Sequence, residues 1–224
     1  MAAVIDVVVI PVLNRYDLLE RAIESLDEVE TLIVIDNGDG LPDHYLDTIQ
    51  IRMIAKRRYL WKMPSNLGVA SSWNLGIKAT PHASGWLLLN SDACFGEDAF
   101  SIFSQDTTSG DVVQAGAPPW CCTWISANAI RRVGLFCERF HPAYMEDVDW
   151  ERRARMLGMT FVQSAAIVHH DNSSTIASDP VKAERNRETH AQNHALYEYR
   201  WSRSGGNVPA DMEWSLATRL QQAW

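Results

Sequence analysis

The 224-residue chain is short of cysteine, of basic charge and of long apolar runs, and each shortage excludes a class of protein. Its four cysteines, Cys94, Cys121, Cys122 and Cys137, show no CxxC spacing, which argues against a zinc knuckle and against a disulfide scaffold. Cys121 and Cys122 are adjacent and point to opposite faces if they lie on a strand; all four read as reduced, mostly buried thiols. Twenty Lys and Arg against 28 Asp and Glu leave a net charge of −8, and the basic residues are scattered. No electrostatic footprint for a nucleic-acid backbone emerges, so nucleic acid is disfavoured as a partner. The longest nearly uncharged stretch, from Ala79 to Asp92, holds too few consecutive apolar residues to span a bilayer, and Met1 to Asp6 lacks the basic start of a signal peptide. The expectation is a cytoplasmic protein without a transmembrane segment. What the chain does have is 46% hydrophobic residues, enough length for a large core, and nine tryptophans, whose faces fill cores or stack on sugars and bases.

Val4 to Ile10 (VIDVVVI) is a β-branched run that reads as a strand buried on both faces of a parallel sheet. From Arg15 to Leu26, apolar Leu18, Leu19, Ala22, Ile23 and Leu26 fall on one helical face. Thr31 to Ile35 is a second strand, closed by Asp36, Asn37 and Gly38. The alternation continues with a helix near Pro42 to Gln50, a strand at Ile51 to Ala55, a helix at Val69 to Ala79 and a strand at Trp86 to Asn90. This is an α/β chain with a mostly parallel, Rossmann-like sheet flanked by helices, and its ligand crevice is expected beyond the carboxyl ends of the strands. Further on, Val112 to Ala115 and Thr123 to Ala127 read as strands, Asp147 to Leu157 as a helix, and Phe161 to His170 as one strand or two short ones. A polar helix from Asp179 to about Arg203 and an amphipathic end from Ala210 to Trp224 form a C-terminal helical extension. Residues 1–178 are expected to form the main domain, with 1–92 and 93–178 as its halves, and 179–224 the extension.

Five groups of residues carry chemistry. Asp36, after the second strand, suits a ribose hydroxyl or a base N–H, and equally a turn in which Asp and Asn bond their own backbone. Asn66 to Gly76 (NLGVASSWNLG) opens a helix with small residues, so its free N–H groups suit a diphosphate; packing against the sheet is the plainer use. Asn90, Ser91 and Asp92 follow an apolar strand, where one carboxylate suffices for Mg²⁺ or Mn²⁺ when a diphosphate supplies other oxygens. Glu146, Asp147 and Asp149 crowd a helix start, as caps or as a general base with neighbours that orient an acceptor. His169 and His170 end a strand, and alternation sends only one of them inward; either is a candidate second metal ligand.

In this order the segments VVVIPVLNR, IVIDNGD, NLGVASSWNLGI, WLLLNSDACF, YMEDVDWERRARMLG and IVHHDNSS resemble the GT-A glycosyltransferases of family two, in particular its inverting, non-processive, rhamnosyltransferase-like branch. The resemblance runs from about Val4 to Ser174. It implies that a nucleoside diphosphate sugar donor, with UDP- or dTDP-sugars favoured, is bound by Pro11, Asn14, Arg15, Asp36, Asn66, Gly68, Asn90, Ser91 and Asp92. It implies Mn²⁺ or Mg²⁺ held by Asp92 and His169, with His170 as the alternative. Asp147 becomes the base that activates an acceptor hydroxyl, on a glycan, a protein or a small molecule, with Glu146 beside it. Two departures bear on the metal and phosphate contacts: Ser91 replaces the usual proline or second acid, and Asp171 and Asn172 stand where glycines often follow the histidine. The processive QxxRW motif is absent. Two rivals are a sugar nucleotidyltransferase, against which PVLNRYD lacks a glycine-rich phosphate loop, and an inactive sugar-nucleotide-binding module, against which Asp92 and Asp147 are both present. The Trp-rich C-terminal third (Trp201, Trp214, Trp224) suits an acceptor cover, self-association into a homo-oligomer, or plain core packing.

Overall fold

A strand that is apolar on both faces must lie inside a sheet covered by helices on both sides, and the computed structural model, which describes residues 5–171 and 180–208, places Val7–Val12 (β1) there. β1 pairs in parallel with β2 (Val29–Asp36) on one side and β4 (Gly85–Leu89) on the other. The sheet adds β3 (Ala55–Lys62), β6 (Val112–Ala115), β7 (Cys122–Ser126) and β8 (Phe161–Gln163), in the order β3-β2-β1-β4-β7-β6-β8. β7 runs antiparallel to both its neighbours, and the remaining pairings are parallel. β5 (Ala93–Phe95) and β9 (Val168–His170) form a separate antiparallel pair. Phe161 to His170 is therefore two short strands, in two different sheets.

Helices α1 (Tyr16–Glu24), α2 (Ile49–Ile54), α3 (Val69–Ala79), α4 (Ala99–Asp106), α5 (Ala127–Val133), α6 (Glu146–Met156) and α7 (Pro180–Ser202) surround the sheets. One core packs Leu19, Ala22 and Ile23 of α1 and Phe100 and Phe103 of α4 against the sheet. A second gathers Trp73, Trp86, Trp120, Phe136 and Trp150, with Phe136 and Trp150 stacked at 5.5 Å. Each fully buried side chain of this size contributes roughly 1.5–3 kcal/mol. These tryptophans are thus core; Trp214 and Trp224 lie outside the described residues. Cys121 and Cys122 are both buried, as expected, and all four cysteines are free. Among the described residues no helix is long and apolar enough to cross a membrane.

The third strand and the helix before it are corrected from the sequence expectation. The helix expected near Pro42 to Gln50 is a 3-10 turn at Tyr45–Asp47 followed by α2, and β3 begins where the expected Ile51 to Ala55 strand ends. The Thr48 side chain caps α2, accepting from Ile51 N at 3.4 Å, and draws the IQIRMI run into the helix. β3 is an edge strand whose Lys56, Arg57 and Arg58 interrupt the apolar signal, as edge strands commonly require.

The tie between α6 and α7 is electrostatic. Asp149 is 0% exposed; its Oδ2 accepts from Arg153 Nε at 2.9 Å, and its Oδ1 from Arg200 Nε at 2.9 Å and Trp201 Nε1 at 3.0 Å. Arg153 also donates to the carbonyls of Val133 (2.8 Å) and Leu135 (2.9 Å), which fixes the segment leaving α5. Above them the Arg152 guanidinium lies 4.0 Å from the Trp201 ring. Asp149 is therefore neither the helix cap nor the acceptor contact that its place near the helix start suggested; it is a buried hub. Asp149→Ala leaves two buried guanidiniums without their anion and should cost about 3–5 kcal/mol, read as a lower midpoint in urea unfolding.

Candidate functional site

All the parallel strands of the first half end at one edge, and the polar loops the sequence singled out gather there. After β1, Pro11 is still within the strand, Asn14 is exposed, and Arg15 donates to Asp17 at 2.8 and 2.6 Å in the combined field of Asp171 and Asp92. After β4, Asn90 N donates to Cys121 O at 2.9 Å, and Asn90, Ser91 and Asp92 are all partly accessible.

β9 brings the histidines to this loop. In the β5–β9 ladder Ala93 lies opposite His170 and Cys94 opposite His169, so the two histidines take opposite faces. His170 turns in, its Nε2 3.0 Å from Asp92 Oδ1, while His169 is exposed beside Cys94. This corrects the expectation that His169 is the inward one. The contact with Asp92 raises the His170 imidazole above its ordinary range, against the opposing effect of burial. Asp171 extends the cluster: its amide donates to Asp92 O at 3.0 Å and its carboxylate pairs with Arg21 of α1 at 2.7 Å. Neither Arg21 nor its role was legible, since it reads as an ordinary exposed helix residue.

A divalent cation fits the Asp92–His170 pair. The carboxylate and imidazole of the pair face each other at 3.0 Å, a donor set whose chemistry suits Mn²⁺ or Mg²⁺. Among the described residues no group of three or more His, Cys, Asp or Glu could hold an ion.

Two other expectations are corrected. Asp36 is 0% exposed, and its carboxylate is occupied by its own surroundings: Oδ1 accepts from Gly38 N and the Tyr16 hydroxyl, both at 3.0 Å, and Oδ2 from Leu41 N at 2.8 Å. It closes the turn and does not face an opening. Gly38 is required there, because a Cβ would sit 1.8 Å from Leu13 O. The amino end of α3 is likewise closed: Gly68 N donates to Asn66 Oδ1 at 2.8 Å and Val69 N to Pro142 O at 2.8 Å. Gly68 has φ +80°, and a Cβ on it would meet Pro142 O at 2.7 Å. Gly68 serves this close approach of the 141–142 segment, so the Gly68 and Val69 N–H groups are already taken. Asn37 locks the two loops together, donating to Ser72 Oγ (3.0 Å) and accepting from Leu67 N (2.9 Å).

The same contact delivers the acidic helix start to this edge. His141 Nε2 meets Asn66 O at 3.1 Å, and from the other side Asn193 of α7 donates to Ala143 O (2.7 Å) and Tyr144 O (3.2 Å). Between these anchors Tyr144 (φ 78°) and Met145 (φ 74°) adopt left-handed backbone conformations, at roughly 1–3 kcal/mol each. Glu146 then points inward, 4% exposed with Oε2 lacking any partner; burial first, and then the charge of Asp147, raises it well above the carboxylate range. Asp147 stays partly accessible, accepts from Val148 N at 2.8 Å, and is raised by burial, with Glu151 adding to the effect.

The sequence matches no family model, and no curated protein matches it. Solved structures do share the fold. GalNAc-T7 with UDP, GalNAc and Mn²⁺ superposes with a TM-score of 0.59 at 9% identity, over 75% of this chain and 44% of that one. The mannosyltransferase PcManGT from Pyrobaculum calidifontis, in complex with GDP-Man and Mn²⁺, gives 0.56 at 13% identity over 98% and 74%. TarS 1–349 from S. aureus gives 0.51 at 15% over 74% and 58%. The chain thus spans about half the length of GalNAc-T7 and TarS 1–349. The fold is the GT-A fold, a mixed but mostly parallel sheet flanked by helices.

If the Asp92–His170 pair is the cation site, His170→Ala should remove most of the Mn²⁺-dependent gain in nucleoside diphosphate binding, and His169→Ala should leave it near the parent value. Calorimetric titration with UDP, with Mn²⁺ and then with EDTA, reads both.

Proposed function

We propose that this chain is an inverting, non-processive glycosyltransferase that moves one sugar from a nucleoside diphosphate sugar to an acceptor hydroxyl. What supports the reading most is the placement of Asp147: a partly accessible carboxylate with raised basicity, held by a strained, doubly anchored loop at the strand-end edge of a GT-A sheet. UDP- and dTDP-sugars are the favoured donors on the family resemblance, and the rhamnosyltransferase-like branch is the favoured relationship. The acceptor is a glycan, a protein or a small molecule.

In this mechanism Asp92 and His170 would hold a divalent cation against the diphosphate, with Asn90 and Ser91 alongside on the same loop. Such a cation, when bound, would neutralise charge growing on the departing nucleoside diphosphate. Asp147 takes the proton from the acceptor hydroxyl as that oxygen attacks the anomeric carbon from the face opposite the leaving group, so configuration inverts. Glu146 is buried with Oε2 unpartnered, which pushes its carboxyl well above the ordinary carboxylate range, so the more accessible Asp147 is the base of the pair in this reading.

The test begins with a thermal-shift panel of nucleoside diphosphate sugars with and without Mn²⁺, since a ligand of the native state raises its melting temperature. Pyrophosphate release from a nucleoside triphosphate and a sugar phosphate would instead mark a nucleotidyltransferase. With a donor and acceptor in hand, Asp147→Asn should lower kcat by about 10²–10⁴-fold while donor affinity is retained. Rates within a few-fold of the parent would remove Asp147 as the base. Because the folded chain raises the Asp147 pKa, the folded state binds more protons than the unfolded one just above the ordinary carboxylate range, and stability falls there as pH rises. The amide escapes that cost, so Asp147→Asn should melt no lower than the parent at neutral pH. The same shift moves the acid limb of kcat/KM above the pH at which an unperturbed aspartate would titrate.

A further inference from the structure

α7 carries a second cluster of metal-ligating side chains, outside the Asp92–His170 pair. His190 and His194 are spaced i, i+4, which puts both on one stripe of the helix. Both are exposed, and their rings face each other at 6.5 Å between centroids and 21° between planes. The edge of the Tyr144 ring closes one side, 5.4 Å from the His190 ring. Glu198, one turn beyond His194 on the same stripe, is exposed and adds negative charge. The cation one turn before, Arg187, is already paired with Glu184.

We propose that His190 and His194 form a seat for a borderline transition cation such as Zn²⁺ or Cu²⁺. Two histidines one helical turn apart on one face are the spacing by which a helix grips such an ion, and imidazole nitrogen prefers Zn²⁺, Cu²⁺ and Ni²⁺ over Mg²⁺. Among the described residues neither imidazole pairs with a carboxylate, so each presents a ring nitrogen after a side-chain rotation at an exposed position. Water fills the remaining positions, which leaves room for a ligand group. The seat lies against Tyr144, the residue that leads into Met145, Glu146 and Asp147, and Asn193, between the two histidines in sequence, holds the Tyr144 carbonyl. An ion here therefore borders the loop that carries the acidic pair, and its binding is independent of the function proposed above.

The experiment is calorimetric titration of the full chain with Zn²⁺ at pH 7.5, in the parent, in His190→Gln, in His194→Gln, in the double variant, and in Asp92→Asn with His170→Ala as a control for the other site. Both histidines are exposed, so the fold is expected to survive substitution, and far-UV circular dichroism checks it. The expected result is one Zn²⁺ equivalent that weakens about tenfold or more in each single His190 or His194 variant and is lost in the double, because removing a ligand should cost at least as much as removing a residue that only supports one. That equivalent should persist in the control. Cu²⁺ electron paramagnetic resonance gives a separate signature: two coupled imidazole nitrogens in the parent and one in each single variant. Zn²⁺ uptake in the double variant equal to the parent's, no uptake by the parent, or a Cu²⁺ spectrum unchanged by His190→Gln would each overturn the proposal.

Discussion

A single buried negative charge, that of Asp149, orders the second half of the molecule. Its oxygens are met by Arg153 from the same helix and by Arg200 and Trp201 from α7, and Arg153 then reaches back to the carbonyls of Val133 and Leu135. A carboxylate removed from water tolerates few arrangements, because each missing donor leaves an uncompensated charge in a low-dielectric interior. The consequence is positional. With Asp149 held, α6 cannot turn about its axis, and Asp147, two residues earlier, keeps its place at the edge of the sheet.

Around that edge the protein closes off much of its own polar surface. The Asp36 carboxylate is taken up by the turn of its own loop, and the Gly68 and Val69 N–H groups at the start of α3 by Asn66 and Pro142. Each of these groups carries chemistry in isolation, yet here each stabilises a loop. Asp92, His170 and Asp147, which stay partly accessible, sit on segments that these neighbouring contacts brace. Strain accumulates in the same region. Tyr144 and Met145 carry left-handed backbone and Glu146 a buried, unpartnered oxygen, a combination that only surrounding contacts such as Asn193 and Pro142 can sustain.

Much of the fold was legible because it depends on local pattern. The β-branched run of β1, the one-sided apolar face of α1 and the stretch from Val69 to Ala79 each obey a single period, so the α/β sheet and the edge where its loops gather follow from the sequence alone. The edge strand β3 was misplaced because charges on a half-exposed strand erase that period. Residue chemistry was equally readable: Asp92, the two histidines and the acidic start of α6 stand out by type and position.

Only the tertiary structure decided which of these groups are free. Whether His169 or His170 turns toward Asp92 depends on the register of β9 against β5, two strands far apart in the chain, and a shift of one residue exchanges the faces. Whether Asp149 caps a helix or anchors one depends on Arg200 and Trp201, some fifty residues away, and whether the amino end of α3 is open depends on Pro142. A sequence determines the chemical kind of each side chain and, through its periodicity, the element that carries it. The partner that consumes or exposes that chemistry comes from distant segments, and long-range packing alone brings the two together.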